Sequence, residues 1–181
     1  VILTFRKGFV AGIIYAPNAV YEIVPRGDKQ ILVELNQTLF PECGGEIKSE
    51  SAKTDSGNLA STDSGDRIDV LVVYTTATKN FLGGDAQAQT LAQQAIDATN
   101  TAYINSKIRQ RVRMIHSQEY VYTETASGST DLGNLRNNVQ IQNLRITHRA
   151  DLVAMIGEIQ GACGVGYLMG ADSPNSQNNG F

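Results

Sequence analysis

Apolar residues alternate with polar ones near the start of the chain, run together in its middle, and recur at helical spacing between the runs. Tyr21 and Ile23, then Ile31, Val33 and Leu35, alternate within 21–24 and 31–35; the apolar segment 9–15 precedes them, and turn residues at Ala16-Pro17-Asn18 and Arg26-Gly27-Asp28 separate the three. Alternation bounded in this way predicts a three-stranded β-meander with one buried face. A sheet this small is marginal in water by itself, so it is expected to pack on something else.

From Gly44 to Asp66 the chain turns to Gly, Ser, Thr, Asp and Lys with few large apolar residues, a composition that cannot offset chain entropy by burial. It predicts a flexible linker open to proteolysis. Residues 68–74 form a nearly continuous β-branched run, the pattern of a strand covered on both faces. Ala88, Leu91, Ala92, Ala95, Ala98 and Ala102 then recur at helical spacing, which predicts a long helix over 85–108 with Asp85 as its cap.

A second strand is expected over 111–122. Leu132, Leu135 and Val139 suggest a helix after the Ser127-Gly128-Ser129 turn, and 150–156 reads as a third, buried strand. A β-α-β-α-β order calls for a largely parallel sheet with helical crossovers. The expected class is α/β in the α+β sense: a mixed, mostly parallel sheet with long helices, preceded by a small meander. The expected division is meander 1–43, linker 44–66, and an α/β module over 67–181.

At 181 residues and 41% hydrophobic content, the chain has material for one ordinary domain and an appendage. Net charge is −3 with scattered cations, so nothing favours nucleic acid or an anionic membrane as partner. No run reaches the roughly 18 apolar residues that span a bilayer.

Candidate chemistry is sparse. His116 and His148 are the two histidines, and neither belongs to H-E-x-x-H. His116-Ser-Gln-Glu119-Tyr120 misses the inverted H-x-x-E-H motif at its last position. His116 therefore reads as a strand histidine satisfied by a neighbour, and His148 as a surface residue. Asp151, three residues after His148, reads as a strand-entry residue whose carboxylate holds loop amides. Gly161, Gly164 and Gly166 give G-x-x-G-x-G with no helix to follow, which argues against a nucleotide site. Glycines in a strand permit close approach of another backbone. No G-x-S-x-G elbow supports a serine nucleophile.

The order of segments carries more than any one motif. Arg67-Ile-Asp-Val-Leu-Val-Val-Tyr-Thr75 is followed by a long helix ending in Asn100-Thr-Ala-Tyr-Ile-Asn-Ser106. Tyr122-Thr-Glu124, Asp131-Leu132, Ala150-Asp-Leu-Val153 and Cys163-Gly-Val-Gly-Tyr-Leu-Met169 come next. This order resembles the first half of a metzincin catalytic domain, nearest the reprolysin-like zinc peptidases. One departure is His148-Arg149, where that family usually has Tyr-Gly.

The resemblance implies a secreted zinc metalloendopeptidase in which a zinc-activated water attacks the peptide carbonyl. The H-E-x-x-H-x-x-G-x-x-H helix comes next in that family and is absent here, so no catalytic residue, no tightly bound zinc and no activity are expected of the 181 residues themselves. The glycine-spaced segment corresponds to the antiparallel edge strand that forms the cleft rim. Gly164, Val165, Gly166, Tyr167 and Leu168 would there hydrogen-bond an extended polypeptide substrate. Residues 1–43 look like a propeptide tail, and Cys43, in Phe40-Pro-Glu-Cys-Gly-Gly45, resembles a cysteine switch able to ligate zinc. A disulfide or a buried thiol are equally open readings of Cys43. By resemblance, Cys163 pairs beyond Phe181, with a Cys43–Cys163 bond as the alternative. A second class of function stays in view: a secreted, non-enzymatic module that accepts extended peptide or polysaccharide at a sheet edge.

Overall fold

The computed structural model describes residues 1–40, 46–47, 67–158 and 163–167. The N-terminal region is an antiparallel meander of four strands rather than three: β1 (Ile2–Arg6), β2 (Phe9–Tyr15), β3 (Val20–Arg26) and β4 (Lys29–Leu35). The added strand is β1, which pairs with β2 through the tight turn at Lys7 and Gly8, both at positive φ.

β6 (Arg67–Thr75) is the central strand of a parallel sheet in the order β7-β6-β8, with β7 at Arg111–Tyr120 and β8 at Leu152–Ile156. Its apolar run is explained by two covered faces. Val70 and Val72 join Ala92, Ile96 and Val112 on one side, while Leu71 and Val73 join Leu135, Ile141 and Val153 on the other. The mixed α+β class expected from sequence is the class observed.

The four helices depart from expectation in three ways. α1 (Thr76–Leu82) was not foreseen, because its threonines are poor helix formers. It is set by its ends: Thr75 Oγ1 accepts from the Thr78 N–H, and Gly83 closes it in the left-handed region at φ 94°. α2 (Asp85–Asn105) begins at Gly84 without a side-chain cap, so Asp85 is a first-turn residue and not the cap. The single helix expected after residue 129 is two, α3 (Gly128–Asn137) and α4 (Val139–His148), separated at Asn138, whose side chain accepts from the Ile141 N–H.

The meander packs on α2, which also packs on β7. The layers thus run meander, α2, parallel sheet, α3 with α4. Asp151 holds the entry to β8: its Oδ2 accepts from the Asp69 N–H and its own N–H donates to the Asp69 carbonyl, both at 2.8 Å. The Asp151 carboxylate thus stands at the strand entry as expected, but the amide it holds belongs to strand β6 and not to a loop. Within the expected linker, Glu46–Ile47 forms a short strand, β5.

Candidate functional site

The glycine-spaced segment forms strand β9 at Gly166–Tyr167, which pairs in parallel with β5: Glu46 opposite Gly166, Ile47 opposite Tyr167. The edge singled out from sequence is thus already engaged in a backbone ladder, and its partner is this chain's own segment. Among the described residues a side chain added at Gly164 or Gly166 would meet nothing within 4 Å, so neither glycine is required by the close approach of another backbone. Val165 and Gly166 border a cavity of about 190 Å³ whose other walls include Leu132, Leu135, Val153 and Met155. The Arg136 guanidinium lies 5.0 Å from the centre of the Tyr167 ring. Leu168 and Cys43 lie outside the described residues, as does any bond between Cys43 and Cys163; Cys163 itself is exposed.

The two histidines come together although 32 positions separate them in sequence. A β-bulge sets Val70 opposite Met114 but Leu71 opposite His116, leaving Ile115 as the extra residue. Both Ile115 and His116 then face α4. Ile115 packs on the core beside Leu144, and His116 stacks on His148 with ring centroids 4.0 Å apart and planes 8° from parallel. His116 Nε2 is 2.9 Å from Gln118 Oε1, the satisfied histidine expected. His148 is a stacking partner, not an isolated surface residue. The helix ends beside it with Arg149 in the left-handed region at φ 54°, a conformation more readily adopted by glycine.

Among the described residues no three His, Cys, Asp or Glu side chains converge as a metal site. The imidazoles are committed to each other and to Gln118, and Glu119 to a lysine. These residues do not fit a catalytic metal, and no step is assigned to one here.

A polar constellation that sequence spacing did not reveal sits beside the carboxyl ends of β6 and β7. Tyr74, 1% exposed, donates to Asp85 Oδ1 at 2.8 Å; Lys79 Nζ reaches Asp85 Oδ2 at 3.1 Å and Glu119 Oε2 at 2.8 Å. Glu119 Oε1 also accepts from Thr76 Oγ1 at 2.8 Å. Burial, helped by the bond to Asp85, pushes the Tyr74 phenol up to about 12. Glu119 is lowered mainly by its bond from Lys79, and Asp85 mainly by its bond from Tyr74. Forty positions separate Lys79 from Glu119, so no local pattern announces the group.

Asp131, which lines the cavity beside β9, is 1% exposed. Its Oδ1 accepts from the Tyr122 hydroxyl at 2.6 Å and the Thr125 N–H at 2.9 Å, which ties the loop after β7 to α3. Burial alone would raise this carboxyl, but the hydrogen bonds from Tyr122 and Thr125 prevail and hold it below the usual range.

Comparison with known proteins gives these features a relative. The chain is similar to bacterial metalloendopeptidases. It is 28% identical over 183 aligned residues to the peptidyl-Asp metalloendopeptidase of Stenotrophomonas maltophilia strain R551-3, covering 94% of this chain and 43% of that protein. To the peptidyl-Asp metalloendopeptidase of Pseudomonas aeruginosa it is 30% identical over 122 residues, 62% of this chain and 20% of that protein. The chain thus spans less than half the length of these relatives. No family model matches it. Among solved structures, a chain from a chaperone-substrate complex superposes with a TM-score of 0.52 at 25% identity, covering 62% of this chain and 21% of that one. A metallopeptidase relationship follows from these similarities.

Proposed function

We propose that this chain carries the tail of a propeptide and the N-terminal half of the catalytic domain of a secreted, zinc-dependent metalloendopeptidase of the reprolysin-like type, with residues 1–43 as the propeptide-like meander and 67–181 as the part of the catalytic domain. The observation that carries the reading is the similarity to peptidyl-Asp metalloendopeptidases along 94% of the chain. Zinc, its ligands and the water-activating carboxylate would come from outside the described residues. The 181 residues alone are accordingly expected to be inactive.

The contribution of this chain is to hold substrate. Gly164, Val165, Gly166, Tyr167 and Leu168 would take an extended polypeptide by strand addition. The feature that supports that role is the backbone ladder that β9 already forms with Glu46–Ile47. The name of the relatives points to aspartyl peptides as the substrate class.

The test is to express the full-length protein and assay cleavage of Asp-containing peptides with and without a chelator, beside a Tyr167→Pro variant. Chelator-sensitive cleavage in the full-length protein is expected, with kcat/KM reduced at least tenfold by the proline, which cannot donate a main-chain hydrogen bond. Absence of cleavage together with retained peptide binding would favour the non-enzymatic module. Unchanged kinetics in the proline variant would remove the edge from the substrate site.

A further inference from the structure

The three strands of the parallel sheet start at one end of the molecule, and folding gathers cations there. Register sets Arg67, the first residue of β6, directly opposite Arg111, the first of β7, and Asp69 opposite Arg113. On the other side of β6, the Asp69 N–H and carbonyl are bonded by Asp151, which brings Arg149, two residues earlier, close to the same strand entry. Helices α2 and α4 also end here. Lys107 and Arg109 lie in the link from α2 to β7, and Arg145 lies in the last turn of α4. In sequence these cations are interrupted, and a net charge of −3 conceals them.

Their charge is only partly answered within the protein. Arg113 donates to both oxygens of Asp69, at 2.8 and 2.7 Å. Asp151 Oδ2 is already engaged by the Asp69 N–H. Arg111 donates to the carbonyls of Ile108 and Gln110, which fix the guanidinium but carry no net charge to oppose it. Arg67, Lys107 and Arg149 are exposed, and among the described residues their side chains make no hydrogen bond or salt bridge. Like charges directly opposite each other in a sheet repel, so Arg67 facing Arg111 is a cost that an outside anion would relieve.

Exposed isoleucines frame the cations. Ile104 in the last turn of α2 is 57% exposed, Ile108 in the link to β7 is 37% exposed, and Ile146 in the last turn of α4 is 74% exposed. α2 and α4 cover opposite faces of the sheet, so the isoleucines flank the arginine row on both sides. A soluble polyanion would engage the cations and leave these side chains in water. A bilayer with anionic headgroups uses both, because binding there combines attraction of Lys and Arg with burial of apolar side chains at the headgroup boundary.

We propose that this end of the protein docks on an anionic lipid bilayer, with the arginine row over the headgroups and Ile104, Ile108 and Ile146 entering the boundary. None of these residues borders the cavity beside β9, so the docking surface is separate from the proposed substrate edge.

The experiment floats the full chain on density gradients with vesicles of phosphatidylcholine alone and of phosphatidylcholine with phosphatidylglycerol. Flotation with the anionic vesicles at low salt is expected, and its loss at high salt or without phosphatidylglycerol, because the attraction falls off within a Debye length. Each cation near an anionic surface contributes roughly fivefold to partitioning, so Arg67→Gln with Arg149→Gln should weaken it about twentyfold. Ile104→Ser with Ile146→Ser should weaken it about tenfold and leave its salt dependence unchanged. Lys29→Gln, at an exposed position of β4, should float as the wild type does. The substituted side chains are exposed, so far-UV spectra and urea midpoints should match the wild type. Absence of flotation, equal flotation with neutral vesicles, or wild-type flotation of the arginine variant would overturn the proposal. Binding to heparin or DNA, with vesicle flotation insensitive to the isoleucine pair, would also overturn it and identify a soluble polyanion. None of these readouts depends on peptidase activity.

Discussion

The imidazoles of His116 on β7 and His148 at the end of α4 lie face to face, 4.0 Å between centroids, because a bulge at Ile115 turns His116 toward the helix. The stack fastens the last turn of α4 to an edge strand, beside an unusual left-handed Arg149.

Removing either ring should therefore destabilise the protein, and removing both should cost less than the sum. Ring pairs of this kind are worth about 0.5–1.5 kcal/mol beyond buried area. A double-mutant cycle with His116→Ala and His148→Ala, read by urea unfolding, is expected to give a coupling energy in that range. A coupling of zero within error would show that the stack contributes nothing.

Asp131→Asn should destabilise the protein at neutral pH by roughly 1–3 kcal/mol, since a buried carboxylate accepting from Tyr122 and Thr125 is replaced by a group that matches them less well. The Asp131 carboxyl is lowered in the fold, so its contribution is present above its unfolded value near 4 and lost as pH falls through the folded value. The two stability curves are expected to converge in acid. A constant gap between them down to about pH 2 would exclude this ionisation as the cause.

Tyr74 gives the opposite sign. Its phenol, raised to about 12, stays protonated in the fold above the unfolded value near 10. The associated stability is present below about pH 10 and declines as pH rises through 12. Burial raises Tyr120 and Tyr122 as well, so absorbance titration of the folded protein should show several of its seven tyrosines ionising late, and Tyr74→Phe should remove the step near 12. Complete titration of all tyrosines by about pH 11 without unfolding would contradict the assignment.

Gly83→Ala should loosen the meander from the body. Gly83 sits at φ 94°, and an added Cβ would lie 2.6 Å from the Gly27 nitrogen and 2.7 Å from its Cα. Left-handed strain and a backbone clash together are expected to cost about 2 kcal/mol or more. Denaturant unfolding measures that loss, and faster proteolysis at Gly27 would locate it. Wild-type behaviour in both assays would show that the turn moves freely.

Local pattern alone determined much of this protein: alternation revealed β3 and β4, an apolar segment bounded by a turn revealed β2, the β-branched run revealed β6, and alanine spacing revealed α2. Each follows from side-chain period, which depends only on neighbours along the chain. The break at Asn138 and the threonine-rich α1 escaped, because caps, not periodicity, set them. Glycine spacing singled out the segment around Gly164 and Gly166, but not that Glu46–Ile47 would pair with Gly166–Tyr167. Tertiary structure alone decided the meetings between distant residues: His116 with His148, Lys79 with Glu119, and the meander with the polar side of α2. The physical reason is that glutamine, threonine and aspartate at helical spacing look like a solvent face in sequence. They become an interface only when another sheet brings donors and acceptors of matching geometry against them.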